Sequence, residues 1–126
     1  VYGGEFTLSG GEVSGNTAAN LPGNNGVSVS SGTFIMSGDA RPEGVFLRCY
    51  DRITIGGPLS GGMTVIDLEI NITASLSNWV GKRILSPDGA RKARFKLGNA
   101  VSTNTSTPTP ITGYTIDESG YFIAEP

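Results

Sequence analysis

The sequence predicts an all-β protein whose first part is a short parallel β-helix of two to three rungs. Three observations lead to this prediction: a repeat with a 28-residue offset, apolar residues at every second position of short segments, and glycines between those segments. Fourteen of the 19 glycines fall within residues 1–62. Repeats of this length indicate a solenoid, in which each unit buries its apolar side chains by stacking on its neighbours. Glycine permits the left-handed backbone conformations that sharp corners between strands need.

The repeat defines which strands should stack. Residues 4–10 (GEFTLSG) align with residues 32–38 (GTFIMSG), which places Phe6 over Phe34 at an offset of 28 residues. A third, worn copy over residues 44–55 follows at a shorter offset of 18 or 19 residues. Within each copy the apolar period is two, as expected for strands with one buried face.

The glycine-rich pattern G-x-F-x-[LM]-S-G-G-x-[VI]-S-G-N-T-A, present at residues 4–18, resembles a known type of repeat. It is similar to the repeats of bacterial secreted and cell-surface right-handed parallel β-helix proteins of the pectin-lyase-like type, often called adhesin-like. The resemblance covers about the first 60 residues, and the second copy departs from it after Gly38. Residues 53–62 (ITIGGPLSGG) resemble the segment that ends such arrays before a small C-terminal β module.

The resemblance implies a C-terminal segment of such a protein, located outside the cell or on its surface, with any targeting signal upstream. We therefore expect β-helix rungs over residues 1–62 and a strand continuation with a cap over residues 63–126. An uncapped N-terminal face would expose stacking surface and strand edges, so self-association through it is expected.

The second half contains clearer single strands. Residues 65–73 (VIDLEINIT) alternate strictly, which predicts a strand with the isoleucines and leucine on the buried face. Residues 77–85 predict a turn leading into a strand, with Val80, Ile84 and Leu85 buried. Phe95 and Leu97 are expected to point inward from a further strand.

The C-terminal residues predict a loop and a hairpin. Residues 102–110 (STNTSTPTP) contain only Ser, Thr, Asn and Pro, which predicts an exposed loop. Residues 114–116 and 121–123 are short apolar segments around the turn DESG, which predicts a β-hairpin.

Composition excludes several functions. The chain has no histidine and one cysteine, Cys49, so histidine-based catalysis and an intramolecular disulfide are impossible. Cys49 is interpreted as a small apolar strand residue. The net charge of −2 gives no general attraction to nucleic acid. No apolar run approaches the roughly 18 residues needed to span a bilayer.

Two acidic residues invite comparison with a catalytic pair. Asp67 and Glu69 alternate on one face of the predicted strand, about 6.5–7 Å apart at Cα, which is within the range used by glycosidases. A catalytic pair needs a cleft and usually comes from different elements, so a solvated strand face is the preferred interpretation. The calcium-binding repeat G-G-x-G-x-D is absent.

Basic and aromatic residues suggest a ligand surface as an alternative. Six of the nine basic residues lie between positions 82 and 96: Lys82, Arg83, Arg91, Lys92, Arg94 and Lys96. The preferred interpretation is that they protect a strand edge from aggregation. The alternative is that they bind an anionic polymer. The resemblance also implies a comparison with lyases of this fold, which use arginine or lysine beside acidic residues on the outer face of long β-helices. Arg48, Asp51 and Arg52 lie close together in sequence, but two to three rungs offer little groove for an active site. Tyr50 and Trp79 are candidates for stacking on sugar rings or for packing.

The preferred prediction is a non-enzymatic structural or adhesive segment, with no catalytic, cofactor-binding or metal-binding residue. Its expected partners are an extracellular glycan or a host surface protein. The alternative is a carbohydrate-active module, either a glycan-binding unit or a polysaccharide lyase-like remnant.

Overall fold

The computed structural model describes residues 4–13, 27–38, 40–42, 44–48, 50–59, 63–70, 75–102 and 107–126. Within these ranges the chain forms strands β1 (Glu5–Leu8), β2 (Glu12–Val13), β3 (Val27–Val29), β4 (Thr33–Gly38), β5 (Arg41–Pro42), β6 (Gly44–Leu47), β7 (Ile53–Leu59), β8 (Thr64–Ile70), β9 (Leu85–Ser86), β10 (Phe95–Ser102), β11 (Thr107–Pro110), β12 (Tyr114–Ile116) and β13 (Phe122–Ala124). A four-residue helix α1 (Leu76–Trp79) and a 3₁₀ turn (Lys92–Arg94) interrupt them. The all-β prediction is confirmed. Cys49 lies outside the described residues.

The first sheet has the order β1-β4-β7-β9, and all of its neighbouring strands are parallel. Phe6 pairs with Phe34, Phe34 with Ile53, and Ile53 with Leu85. The Phe6 and Phe34 rings stack, with their centroids 5.6 Å apart. The predicted alignment of the repeats is therefore confirmed, since Phe6 and Phe34 lie opposite each other on neighbouring strands.

The second sheet has the order β11-β10-β8-β6-β3. The four strands β3, β6, β8 and β10 are parallel, and β11 runs antiparallel at the edge. Val27 pairs with Val45, as the alignment of the third copy of the repeat predicts. Val45 pairs in turn with Ile66. Strands β2 and β5 form a separate two-stranded parallel sheet.

The core lies between these sheets. Strands β3, β6, β8 and β10 supply it from one side and β4, β7 and β9 from the other, with side chains that are almost completely buried: Val29, Phe34, Met36, Val45, Leu47, Ile53, Ile66, Leu68 and Leu85. The period-two apolar pattern in the sequence marks this inward face. Phe95 is buried and Leu97 packs against the core, as predicted.

The β12–β13 hairpin is confirmed, with Ile116 paired to Phe122 in antiparallel register. Its turn residue Gly120 accepts hydrogen bonds from the N–H groups of Ile84 and Leu85, at 2.8 and 3.1 Å. Ile84 and Leu85 are buried as predicted, but Val80 is 42% exposed, so that prediction is wrong. Val80 follows helix α1, whose inward position is taken by Trp79.

The predicted loop over residues 102–110 is wrong at both ends. Ser102 ends β10, and residues 107–110 form β11, which pairs with residues 99–102 of β10. Residues 103–106 lie outside the described part of the chain. The sheets thus combine parallel and antiparallel pairs. Within the described ranges, no helix has the length and apolar character needed to cross a membrane.

Candidate functional site

A polar groove lies beside the first sheet, where two turns meet. It has a volume of about 230 Å³ and is lined by Gly32, Thr33, Tyr50, Asp51, Arg52 and Thr54. The turns are adjacent because Phe34 of β4 pairs with Ile53 of β7, so the residues just before these strands are neighbours. We call this feature the Tyr50 groove.

Backbone geometry at the groove is unusual. Ser31 and Tyr50 have φ angles of 60° and 58°, in the left-handed region that residues with a Cβ rarely adopt. Such residues persist where their surroundings hold them, and they cluster at binding sites. One restraint is visible: the Ser31 N–H donates to Asp51 Oδ2 at 2.6 Å, which ties the two turns together.

The Tyr50 ring contacts two neighbouring side chains. It is 37% exposed, and its centroid lies 5.0 Å from that of Trp79 in an edge-on arrangement. The Lys82 ammonium lies 5.1 Å from the Tyr50 centroid, within cation–π range. Trp79 is itself only 1% exposed and donates its indole N–H to the Glu69 carbonyl at 2.8 Å. Trp79 is therefore a packing residue that supports Tyr50 and is not available to a ligand.

The three charged residues near Tyr50 do not act as one group. Arg48 donates its Nε–H to Glu69 Oε2 at 2.8 Å, on the second sheet. Asp51 accepts the Ser31 amide, and Arg52 is exposed and lines the groove. The groove therefore combines an aromatic ring, a carboxylate, a guanidinium group and two threonines.

The prediction of a solvated face for Asp67 and Glu69 is wrong. Asp67 is 4% and Glu69 9% exposed. Their register partners on that face, Phe46 and Val101, are also buried, so this side of the second sheet is covered. Alternation of polar and apolar residues identified the correct strand but not the environment of its outer face.

Asp67 occupies a space created by an irregularity in β10. The β10–β8 register shifts between Leu97 and Ala100, and the Asn99 N–H donates to Asp67 Oδ1 at 2.6 Å. A Cβ on Gly98 would overlap Asp67 Oδ1 and Val65 Cγ1, so glycine at this position leaves room for both side chains. Burial raises the pKa of Asp67 above its ordinary value, and the hydrogen bond from Asn99 partly opposes this shift.

The basic cluster predicted from the sequence is divided among separate contacts. Lys82 lies by Tyr50, the Arg83 guanidinium is 4.8 Å from the Tyr121 ring, and Lys92 Nζ is 2.7 Å from Glu118 Oε1. Lys82, Arg83 and Lys92 thus each have a different structural neighbour, and they do not form one basic surface. Among the residues that the structure describes, no group of three or more acidic or cysteine side chains is arranged to hold a metal ion.

Sequence reasoning missed two members of the Tyr50 environment. Lys82 is 32 residues from Tyr50, and no local pattern joins them. Ser31 carries no signal of its own, because serine is common in this sequence. The run of charged and aromatic residues at 50–52, placed between two apolar segments, was the only local indication of a corner at this point.

Comparisons with known proteins name no relative: the chain matches no protein-family model, and no curated protein or solved structure shows significant similarity to it.

Proposed function

We propose that the chain is a non-enzymatic structural or adhesive segment of a bacterial secreted or cell-surface right-handed parallel β-helix protein. The observation that supports this most directly is the stacking of the repeat, in which Phe6, Phe34, Ile53 and Leu85 occupy successive parallel strands in register. In such a solenoid each added unit extends a surface for binding rather than building an enclosed active site.

The path of the chain supports the same proposal. From β3 to β10 the strands of the first and second sheets alternate along the sequence, apart from the small strand β5. Every return to a sheet adds a parallel strand beside the previous one. This is the arrangement expected of two to three β-helix rungs, with β11 and the β12–β13 hairpin as the cap.

The carboxylates favour a non-enzymatic role. Asp67 accepts a backbone amide beside a strand irregularity, and Glu69 pairs with Arg48. Both acidic groups are thereby engaged in holding strands together. In a glycosidase, the two carboxyl groups instead face each other across a bound sugar.

The proposal is tested by assaying binding and turnover together. Binding of the 126-residue chain is measured on a glycan array and on immobilised extracellular-matrix glycoproteins. Turnover is measured by incubating the chain with a panel of polysaccharides under lyase and hydrolase conditions. Binding without turnover is the expected result. Turnover that is lost in Asp67→Asn or Arg48→Ala, with an unchanged melting temperature, would contradict the non-enzymatic role.

The Tyr50 groove favours a second candidate function, a carbohydrate-active module acting as a glycan-binding unit. An exposed aromatic ring can cover the C–H face of a sugar, while neighbouring carboxylate, guanidinium and hydroxyl groups bond its hydroxyls. Tyr50, Asp51, Arg52 and Thr33 provide these groups around one groove. The contacts with Trp79 and Lys82 restrict the ring before binding, which lowers the entropy lost when a sugar stacks on it.

This candidate is tested with variants on the same glycan array. Tyr50→Gly removes the ring while suiting the left-handed backbone, and Arg52→Ala removes the groove cation; each should reduce binding at least tenfold, equivalent to about 1.4 kcal/mol. Tyr50→Phe should retain most of the binding. Met63→Ala is the control, since Met63 is exposed and does not line the groove. Equal binding by all four variants would exclude this groove as the site.

A further inference from the structure

A second groove runs beside the C-terminal hairpin. Its volume is about 460 Å³, a size typical of binding sites. The lining consists of strand β12 together with Lys92, Ala93, Phe95, Leu97, Ile111 and Glu125, and it shares no residue with the Tyr50 groove. We call this feature the β12 groove.

The β12 groove meets its strand along the hydrogen-bonding edge. Neighbouring side chains of a strand point to opposite faces, so a groove lying over one face would touch only alternate residues. Tyr114, Thr115 and Ile116 all line the groove, as expected where it follows an edge. From β10, in contrast, only the alternate residues Phe95 and Leu97 line it, so the groove lies over the face of that strand.

The backbone groups along this edge of β12 are unpaired. The Asp117 N–H donates to the Tyr121 carbonyl, so the backbone groups at positions 113, 115 and 117 face β13. The N–H and C=O groups of Tyr114 and Ile116 therefore face the groove, and within the described part of the chain no strand pairs with them. Because β12 and β13 form a sheet of their own, this edge does not continue either of the two stacked sheets.

The floor of the β12 groove is apolar. Phe95 is buried, and Leu97 and Ile111 are partly buried against the core. The Tyr114 and Ile116 side chains pack into the same core cluster. Residues of an added strand that lie opposite Tyr114 and Ile116 would point to the same face as these two, so their side chains would contact this floor.

The charges at the two ends of the groove differ. Lys92 Nζ lies 2.7 Å from Glu118 Oε1, so its charge is compensated within the protein. Glu125 is exposed, and no ion pair joins it to another residue that the structure describes. It lies at the Tyr114 end, because its N–H donates to the Gly113 carbonyl. That end of the groove suits a cationic side chain of a ligand.

We propose that the β12 groove binds an extended peptide segment of a partner protein, which adds to β12 as an antiparallel strand. Two apolar residues at alternate positions lie opposite Ile116 and Tyr114, and each exchanges two hydrogen bonds with the residue that it faces. A basic residue follows directly, opposite Gly113, which has no side chain to separate it from Glu125. This peptide site does not depend on glycan binding at the Tyr50 groove.

The experiment is fluorescence anisotropy of the labelled, end-capped peptide SGVTVKGS, titrated with the 126-residue chain. A dissociation constant between about 10 μM and about 1 mM is expected, because an interface this small lies at the weak end of the range. Replacing both valines of the peptide by serine should weaken binding at least tenfold. Absence of saturable binding, or equal binding of the serine peptide, would overturn the proposal.

Pairing as a strand is tested with methylated peptides. In the proposed register the N–H groups of both valines face β12, and the N–H of the threonine between them faces away. N-methylation of the second valine should therefore raise the dissociation constant at least tenfold, and N-methylation of the threonine should raise it much less. An equal effect of the two modifications would exclude strand addition.

The position of the peptide is tested by reversing one charge of the protein. Glu125→Lys should raise the dissociation constant at least threefold at low salt, and the difference should shrink at about 0.5 M salt. Glu5→Lys makes the same change at an exposed residue that does not line the groove, and should bind the peptide normally. Equal binding by both variants at low salt would contradict the placement of the basic residue beside Glu125.

Discussion

The two ends of the stacked strands differ in how they are finished. At the β1 end, backbone groups and the Phe6 ring are exposed beyond the last ladder of the first sheet. At the other end, the β12–β13 hairpin covers β9, and prolines occupy the outward positions of β11. Each edge strand offers backbone groups to which a further strand can pair. The comparison teaches that specific residues are needed to prevent this pairing.

The largest expected effect distinguishes the interior of the stack from its exposed edge. Phe34→Ala should lower the free energy of unfolding by about 3–5 kcal/mol, because Phe34 is fully buried between β1 and β7. Phe6→Ala should cost about 1 kcal/mol, since its ring is half covered. Urea denaturation at low protein concentration measures both. Similar losses would mean that β1 is as deeply packed as β4.

The second effect concerns the hairpin that closes the far end. Gly120 has φ of 90°, and a Cβ there would overlap the Leu85 carbonyl oxygen. Gly120→Ala should therefore cost about 3 kcal/mol or more, combining backbone strain with a clash that only backbone movement relieves. Gly113→Ala is a matched control, because Gly113 has φ of 83° with open space around the Cβ position. Thermal melts should show about 1 kcal/mol for this control; an equal loss in both variants would refute the steric account.

The interior of the stack was largely predictable from the sequence. The repeat offsets gave the Phe6–Phe34 and Val27–Val45 registers directly, because equivalent residues of successive copies lie side by side in a parallel sheet. The hairpin was predictable because a turn sequence separates two short apolar segments. Local pattern sufficed where each strand contacts its nearest repeat.

The closing elements were harder to predict. The TPTP segment has the composition of a loop, yet alternate prolines suit an edge strand, whose outward positions need no donor. The Arg48–Glu69 pair follows from the Leu47–Leu68 register, so it becomes visible only after the strands are aligned. Asp67 looked solvated because the residues that form its surroundings, at Gly98 and Asn99, are about 30 positions away.

The third prediction concerns Asp67 of β8, which lies beside β10, the neighbour of the edge strand β11. Because its pKa is raised in the folded protein, protonation favours folding, and stability should increase as the pH falls through the folded pKa towards the ordinary value of 3.8. Asp67→Asn keeps an acceptor for the Asn99 N–H and loses the titration. The stability of wild type relative to this variant should therefore rise on acidification; comparing the two cancels most effects of Glu69 and other carboxylates. A difference that is constant between pH 7 and pH 4 would show that Asp67 is not desolvated.

The smallest effect concerns the Tyr50 groove, between the open edge and the closed end. Ser31→Gly relieves a left-handed backbone while keeping the N–H that Asp51 accepts, so it should stabilise the protein by about 0.5–1 kcal/mol. Ser30→Gly is the control, because Ser30 lacks the positive φ and glycine there should destabilise by a similar amount. Urea denaturation provides the measurement. If Ser31→Gly also leaves ligand binding at the groove unchanged, its backbone strain is a consequence of connecting two stacked strands. If binding falls while stability rises, the strain serves to position Asp51 and Tyr50, as in sites where fold stability is exchanged for function.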